Sequence, residues 1–129
     1  MRKINNKQIR MDVFNKYNGR CAYCGCKLTK SNFNVDHIEP IFRNDTDEQI
    51  EKWNNGQKRG DNSIENFNPS CISCNCSKSS LRLEDWRKEI ELKSDRIIRD
   101  SAQFRLLLRF GLVTENRKPI VFYFEKHNK

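Results

Sequence analysis

The chain has 129 residues, 33% of them charged and 36% hydrophobic, with a formal net charge of +8. Such a composition allows one soluble domain with a modest core and leaves no room for a second full domain. It contains no apolar run long enough to cross a bilayer or act as a secretory signal. The positive balance points to a polyanionic partner, nucleic acid first, because each phosphate neutralised by Lys or Arg releases condensed counterions.

In chain order, the first predicted element is an amphipathic helix from Asn6 to Tyr17. Ile9, Val13, Phe14 and Tyr17 fall at helical spacing there, and Gly19 supplies a stop. Asn34 to Ile38 alternates in polarity and reads as a short strand that Pro40 ends. A short helix is expected from Asp47 to Trp53, followed by a basic loop from Asn54 to Asp61. Beyond Cys71 the pattern predicts a helix carrying Asn75 and Lys78. Another is predicted around Ile97 to Phe110, closed by Gly111, and Ile120 to Phe124 has strand composition. No internal repeat is present.

Six cysteines without an export signal read as metal ligands in a reduced, cytoplasmic setting rather than as disulfides. Cys21-Ala22-Tyr23-Cys24 and Cys71-Ile72-Ser73-Cys74 are two C-x-x-C knuckles, and four thiolates at this spacing suit tetrahedral zinc. The ion would clamp two distant segments, and its binding free energy would offset the entropy of closing the loop between them. Four thiolates leave no open coordination position, which makes the expected zinc structural. Cys26 and Cys76, each two residues past a knuckle, read as spare thiols, although either is able to replace a neighbour in the shell.

Between and beside the knuckles lie Val35-Asp36-His37-Ile38-Glu39-Pro40, then Ile64-Glu65-Asn66-Phe67, then Cys71-Ile72-Ser73-Cys74-Asn75-Cys76-Ser77-Lys78. Over residues 20–80 this ordered set resembles the HNH endonuclease family. That resemblance implies an α+β fold: a small ββα-metal nuclease core stapled by the structural four-cysteine zinc, with a flanking N-terminal helix and a helical C-terminal extension. It also implies metal-dependent hydrolysis of DNA, with His37 as general base and Asp36 and Asn75 holding one divalent cation. Asn66 would orient the His37 ring.

The chemistry asks for the same residue types. An imidazole near its ordinary pKa can deprotonate water at neutral pH. Hard oxygen donors suit magnesium or manganese, which stabilise charge on a phosphate. Lys78, with Lys58 and Arg59 from the loop, is expected to contact phosphate of double-stranded DNA. Taken singly, each of these residues has an ordinary use: a hydrogen-bonded core histidine, a turn cap, a solvated lysine. Gly60 stands where the family often has paired glycines, which leaves the geometry of that loop open.

The segment from Leu81 to Lys129 carries an apolar stripe through Trp86, Ile90, Ile97, Ile98, Phe104, Leu107 and Leu108. Packing on the nuclease core is its expected use, with a homodimer contact as the second reading. Arg82, Arg87, Lys88, Arg96, Arg99, Arg105 and Arg109 form a further candidate set for tracking a duplex backbone. The alternative function is a non-catalytic, zinc-stabilised nucleic-acid-binding module, which has no use for Asp36, His37, Asn66 and Asn75 as a set.

Overall fold

The first helix begins where the sequence supplies a cap. In the computed structural model, which describes residues 6–42, 45–53 and 59–127, Asn6 accepts hydrogen bonds from the amides of Gln8 and Ile9 and opens α1 (Lys7–Asn15). The helix ends as predicted in a left-handed turn, with Asn18 and Gly19 both at positive φ. Val13, Phe33 and Phe67 form the buried centre of the core, with Ile9, Phe14, Leu28 and Val35 packed around it.

Two strands follow, β1 (Asn34–His37) and β2 (Phe67–Ser70), paired antiparallel with Asp36 opposite Asn68 and His37 opposite Phe67. Successive side chains point to opposite faces of a strand. Asn34, Asp36, Asn68 and Ser70 therefore share one face, while Val35, His37, Phe67 and Pro69 share the other. The apolar face joins the core through Phe67, and the polar face receives Lys78 from a helix. Between the strands run α2 (Asp47–Trp53), as predicted, and a 3-10 turn at Ile64–Asn66. Then comes α3 (Ile72–Lys78), whose N-cap is Cys71. The fold is α+β, and β1, β2 and α3 make its ββα centre.

The described chain divides into two compact units. The first runs to Leu83 and takes back the segment from Phe122; the second is Glu84 to Val121. In place of the single helix predicted around Ile97 to Phe110, α4 (Leu83–Asp100) begins well before Ile97, and Ser101, whose side chain caps α5 (Ala102–Arg109), separates the two helices. Arg105 Nη1 closes that corner by donating to the carbonyls of Ile98 and Arg99 at 2.6 and 2.7 Å.

The strand expected at Ile120 to Phe124 does not form. The chain instead enters α6 (Tyr123–His127), and the amides of Tyr123 and Phe124 donate to the carbonyls of Tyr23 and Ala22 at 3.0 and 2.8 Å. Aromatic composition favours burial on any flat surface, and here the surface is a cysteine knuckle rather than a sheet. Phe122 is 2% exposed and meets the Tyr23 ring edge-on at 5.5 Å.

Candidate nuclease site and metal clasp

The Cys21–Cys24 knuckle is a tight turn inside a small hairpin. Cys21 N donates to Cys26 O, Gly25 N donates to Cys21 O, and Arg20 bridges Lys27. Ala22 N donates to Pro69 O at 2.8 Å, which ties the turn to β2. The second knuckle opens α3, and Cys71 Sγ accepts from Cys74 N at 3.3 Å. These turns bring the sulfurs of Cys21, Cys24, Cys71 and Cys74 within 4.8 Å of one another. A tetrahedral zinc with bonds of ~2.3 Å places its sulfurs about 3.8 Å apart. The Cys24 and Cys71 sulfurs are 3.9 Å apart, so the tetrad fits zinc.

The electrostatics agree. Hydrogen bonding from Cys74 holds the Cys21 thiol down to about 4, while that same contact, and burial, push the Cys74 thiol upward. One thiolate is favoured and its neighbours are penalised, a repulsion that a bound dication removes. Cys26 lies beside Cys24 and Cys71 but outside the tetrad, and partial burial with those two neighbours pushes its thiol up to about 12. Cys76 is exposed.

The helix α3 runs from this clasp to the strand that carries Asp36 and His37. Lys78, its last residue, has 0% of its side chain exposed. Its Nζ lies 3.2 Å from Asp36 Oδ2 and donates to His37 O at 2.9 Å. The Tyr23 hydroxyl donates to the same Asp36 oxygen. Burial raises the Asp36 carboxyl above its ordinary value, opposed by the Lys78 charge and the Tyr23 hydrogen bond. Burial and the Asp36 charge push the Tyr23 phenol far upward, so it remains a donor. Asn68, opposite Asp36 and wholly buried, has neither side-chain polar atom in a well-formed hydrogen bond among the described residues.

Both contacts on Asp36 fall on Oδ2, and Oδ1 takes no hydrogen bond among the described residues. Asn75, half-buried on α3 one turn before Lys78, likewise has its carboxamide uncommitted among the described residues. One carboxylate oxygen and one amide oxygen suit a hard cation whose remaining positions go to water and phosphate. Magnesium and manganese take donors of this kind, and the set is far sparser than the cysteine tetrad.

His37 is half-buried, with its ring edge-on to Phe67 at 5.2 Å. Hydrogen bonds from Ser63 hold the nearby Asp61 carboxyl below its ordinary value. The ring's hydrogen-bond partner is Asn62, whose Oδ1 lies 2.8 Å from Nε2, and not Asn66 as the resemblance implies. Asn66 is spent on backbone. Its Oδ1 accepts from Glu39 N at 2.9 Å, and its Nδ2 donates to Glu39 O and Asp61 O at 3.0 and 2.9 Å. This amide staples the two ends of the excursion between the strands.

Gly60 sits inside the same staple. A Cβ there would lie 2.0 Å from Glu39 O and 2.7 Å from Asn66 Nδ2, so the single glycine is required by close approach.

The expected phosphate contacts are redistributed. Lys78 has no exposed ammonium to offer, because a lysine at the end of a short helix over a buried carboxylate is drawn inward. Arg59 holds the loop to α2, with Nε 2.8 Å from Asp47 Oδ1 and Nη2 donating to Asp45 O at 2.7 Å. Lys58 lies outside the described residues. Of the basic residues after Leu81, Arg82, Arg87, Arg96 and Arg99 pair with Glu39, Glu84, Glu89 and Asp100. Lys88 and Arg109 carry no ion pair among the described residues.

No protein-family model matches the chain. Over 72 residues, 54% of this chain, it is 33% identical to the candidate HNH endonuclease YoqL, derived from the SPbeta prophage of Bacillus subtilis (strain 168). The resemblance to HNH endonucleases holds. The matched stretch is 27% of that relative, so this HNH-like chain spans a minor part of its length. Among solved structures, the Type II-C Cas9 enzyme from Actinomyces naeslundii matches with a TM-score of 0.49 and 23% identity, over 65% of this chain and 7% of that one. Among the described residues, no helix is long and apolar enough to cross a membrane.

Three site residues carry no motif signal. Tyr23 reads in the sequence as knuckle filler, Asn68 as an ordinary strand residue, and Asn62 as loop. Only the fold shows them beside Asp36 and His37.

Proposed function

We propose that the HNH-like core hydrolyses phosphodiester bonds of DNA, with His37 as the general base. One observation carries the reading: Lys78 Nζ binds the Asp36 carboxylate and the His37 carbonyl at once, from a helix whose first turn is the cysteine clasp. A purely structural zinc module gains nothing from spending a buried lysine to fix those two neighbours, since a buried ion pair is weak as a stabiliser.

In this reading His37 takes the proton from the attacking water, and Lys78 acts by positioning Asp36 and the strand end. Asn66 holds Glu39 and Asp61 together beside the ring's partner, Asn62. A magnesium or manganese ion bound through Asp36 and Asn75 would supply Lewis-acid stabilisation of the charge that develops on the phosphate. Electrostatic attraction from the net charge of +8 would bring the duplex to the site. A homodimer is no part of the reading.

The test is plasmid cleavage with magnesium or manganese, run beside a structured RNA. Supercoiled DNA should be nicked or linearised, and His37→Ala should bind DNA as the parent does without cutting it. Binding without cutting by the parent protein, in either metal, would establish the non-catalytic zinc module instead.

A further inference from the structure

Asn62 makes the hydrogen bond that the His37 ring uses, and no motif assigns it a role. The contact joins Nε2 to an amide oxygen at 2.8 Å, while Nδ1 takes no hydrogen bond among the described residues. An amide oxygen accepts and has no proton to give. With a neutral imidazole this contact therefore forms only when Nε2 carries the hydrogen, leaving the ring's lone pair on Nδ1.

Residue 62 is also held in place. The Asp61 carboxylate oxygen Oδ1 accepts from Ser63 N and Ser63 Oγ at 3.1 and 2.6 Å, which folds the turn on which Asn62 sits. On one side of that turn Gly60 N donates to Pro40 O at 2.9 Å, and Asn66 Nδ2 reaches both Asp61 O and Glu39 O. On the other, Ile38 N donates to Asn66 O at 2.9 Å. The end of the strand that carries His37 and the turn that carries Asn62 are thus laced together by three of these hydrogen bonds, and the fourth, Asn66 Nδ2 to Asp61 O, closes the turn on itself. They set the backbone of residue 62 beside the ring, and the contact with Nε2 itself holds the amide there.

We propose that Asn62 is a positioning residue that fixes the tautomer and plane of His37, so that Nδ1 is the nitrogen left to receive a proton. The assignment of Nδ1 as the base rests on the nuclease reading; the tautomer does not.

The experiment reads the ring directly. In the full chain carrying His127→Gln, so that one histidine remains, the ring 15N shifts are recorded with zinc bound, at a pH raised until they no longer change. Nε2 should show the shift of a protonated nitrogen and Nδ1 that of a bare one. Asn62→Ala should move both toward the averaged values of mixed tautomers, and Asn62→Asp, which keeps an acceptor, should restore them.

A parent ring protonated on Nδ1 would overturn the proposal by showing that Asn62 presents its NH2. Shifts unchanged in Asn62→Ala would overturn it by showing the amide to be a bystander. Plasmid cleavage by Asn62→Ala should fall about 10–100-fold, the usual loss for a group that orients a functional histidine, with recovery in Asn62→Asp. If the shifts respond as stated and the parent cuts nothing, the nuclease reading fails and the clamp stands. If the parent cuts and the shifts do not respond, the clamp fails alone.

Discussion

Lys78 Nζ lies 3.2 Å from Asp36 Oδ2 in a part of the molecule that solvent reaches at neither end, the two side chains being 0% and 5% exposed. Two opposite charges taken out of water together are tolerable; one left alone is not. The pair is therefore a point at which fold and site can be tested together.

Lys78→Met should destabilise the protein by about 3–5 kcal/mol near neutral pH, because it strands the Asp36 charge in the interior. The pH dependence has a definite sign. Asp36 already titrates above its ordinary value through burial, with Lys78 as the leading opposing influence, so its removal raises the folded-state value further. A raised carboxyl favours the folded state below the unfolded value and loses that advantage as pH climbs through the folded value. The deficit of Lys78→Met should then be small in acid and grow as the pH rises through the carboxylate range. Urea unfolding of both proteins across that range, without added magnesium, is the check. A deficit that is constant with pH would show that Asp36 is not the group left unpaired.

The metal clasp makes a separate prediction. The protein should carry one zinc per chain, and a strong chelator should unfold the first unit, since structural zinc contributes ~10–16 kcal/mol in small domains. Cys26→Ser and Cys76→Ser should keep that stoichiometry, whereas Cys71→Ser should lose the metal while its hydroxyl still caps α3. Metal analysis beside circular dichroism reads both. A second zinc, or its loss in Cys26→Ser, would redraw the ligand set.

What the sequence made legible was whatever rests on local spacing. The two C-x-x-C turns, the short strand at Asp36 and His37, the α2 boundaries and the helix from Ile72 to Lys78 all follow from patterns a few residues long. Side-chain partners across a loop do not. Asn66 is spent on Glu39 and Asp61 and leaves the ring to Asn62, a distinction set by how far each amide reaches from a folded turn. The burial of Lys78 was equally hidden, because a lysine one turn from an asparagine reads as surface until the carboxylate beneath it is seen. At Phe122 and Phe124, composition gave the correct tendency to bury and the wrong element, since their partner surface lies about a hundred residues earlier in the chain.

The loop staple should fail in two distinguishable ways. Asn66→Ala removes three hydrogen bonds to backbone and should lower stability by about 1–3 kcal/mol. Gly60→Ala leaves those groups present but forces a methyl against Glu39 O, and a Cβ at 2.0 Å requires the backbone to move. Overpacking of this kind costs about 1–3 kcal/mol or more. Both variants should also reduce cleavage beyond what lost stability explains, because each shifts the turn that carries Asn62. Activity measured well below the melting temperature separates the two effects. Parent-like rates in Gly60→Ala would mean that the turn tolerates displacement.

The return of the chain at Phe122 supplies the last prediction. Phe122 is buried, meets Tyr23 edge-on at 5.5 Å and stacks on Phe124 at 6.2 Å, while Tyr23 in turn holds Asp36. Phe122→Ala should cost about 3–5 kcal/mol as a large buried ring is lost. Truncation after Val121 should cost more, since it also removes the amides that pair with the Ala22 and Tyr23 carbonyls. Because Tyr23 stands between Cys21 and Cys24 of the tetrad, both changes should loosen the knuckle and speed zinc transfer to a competing chelator. Release kinetics followed with a chromogenic chelator test this. An unchanged rate in the truncated protein would show that the clasp is self-sufficient and that the aromatic cap serves stability alone.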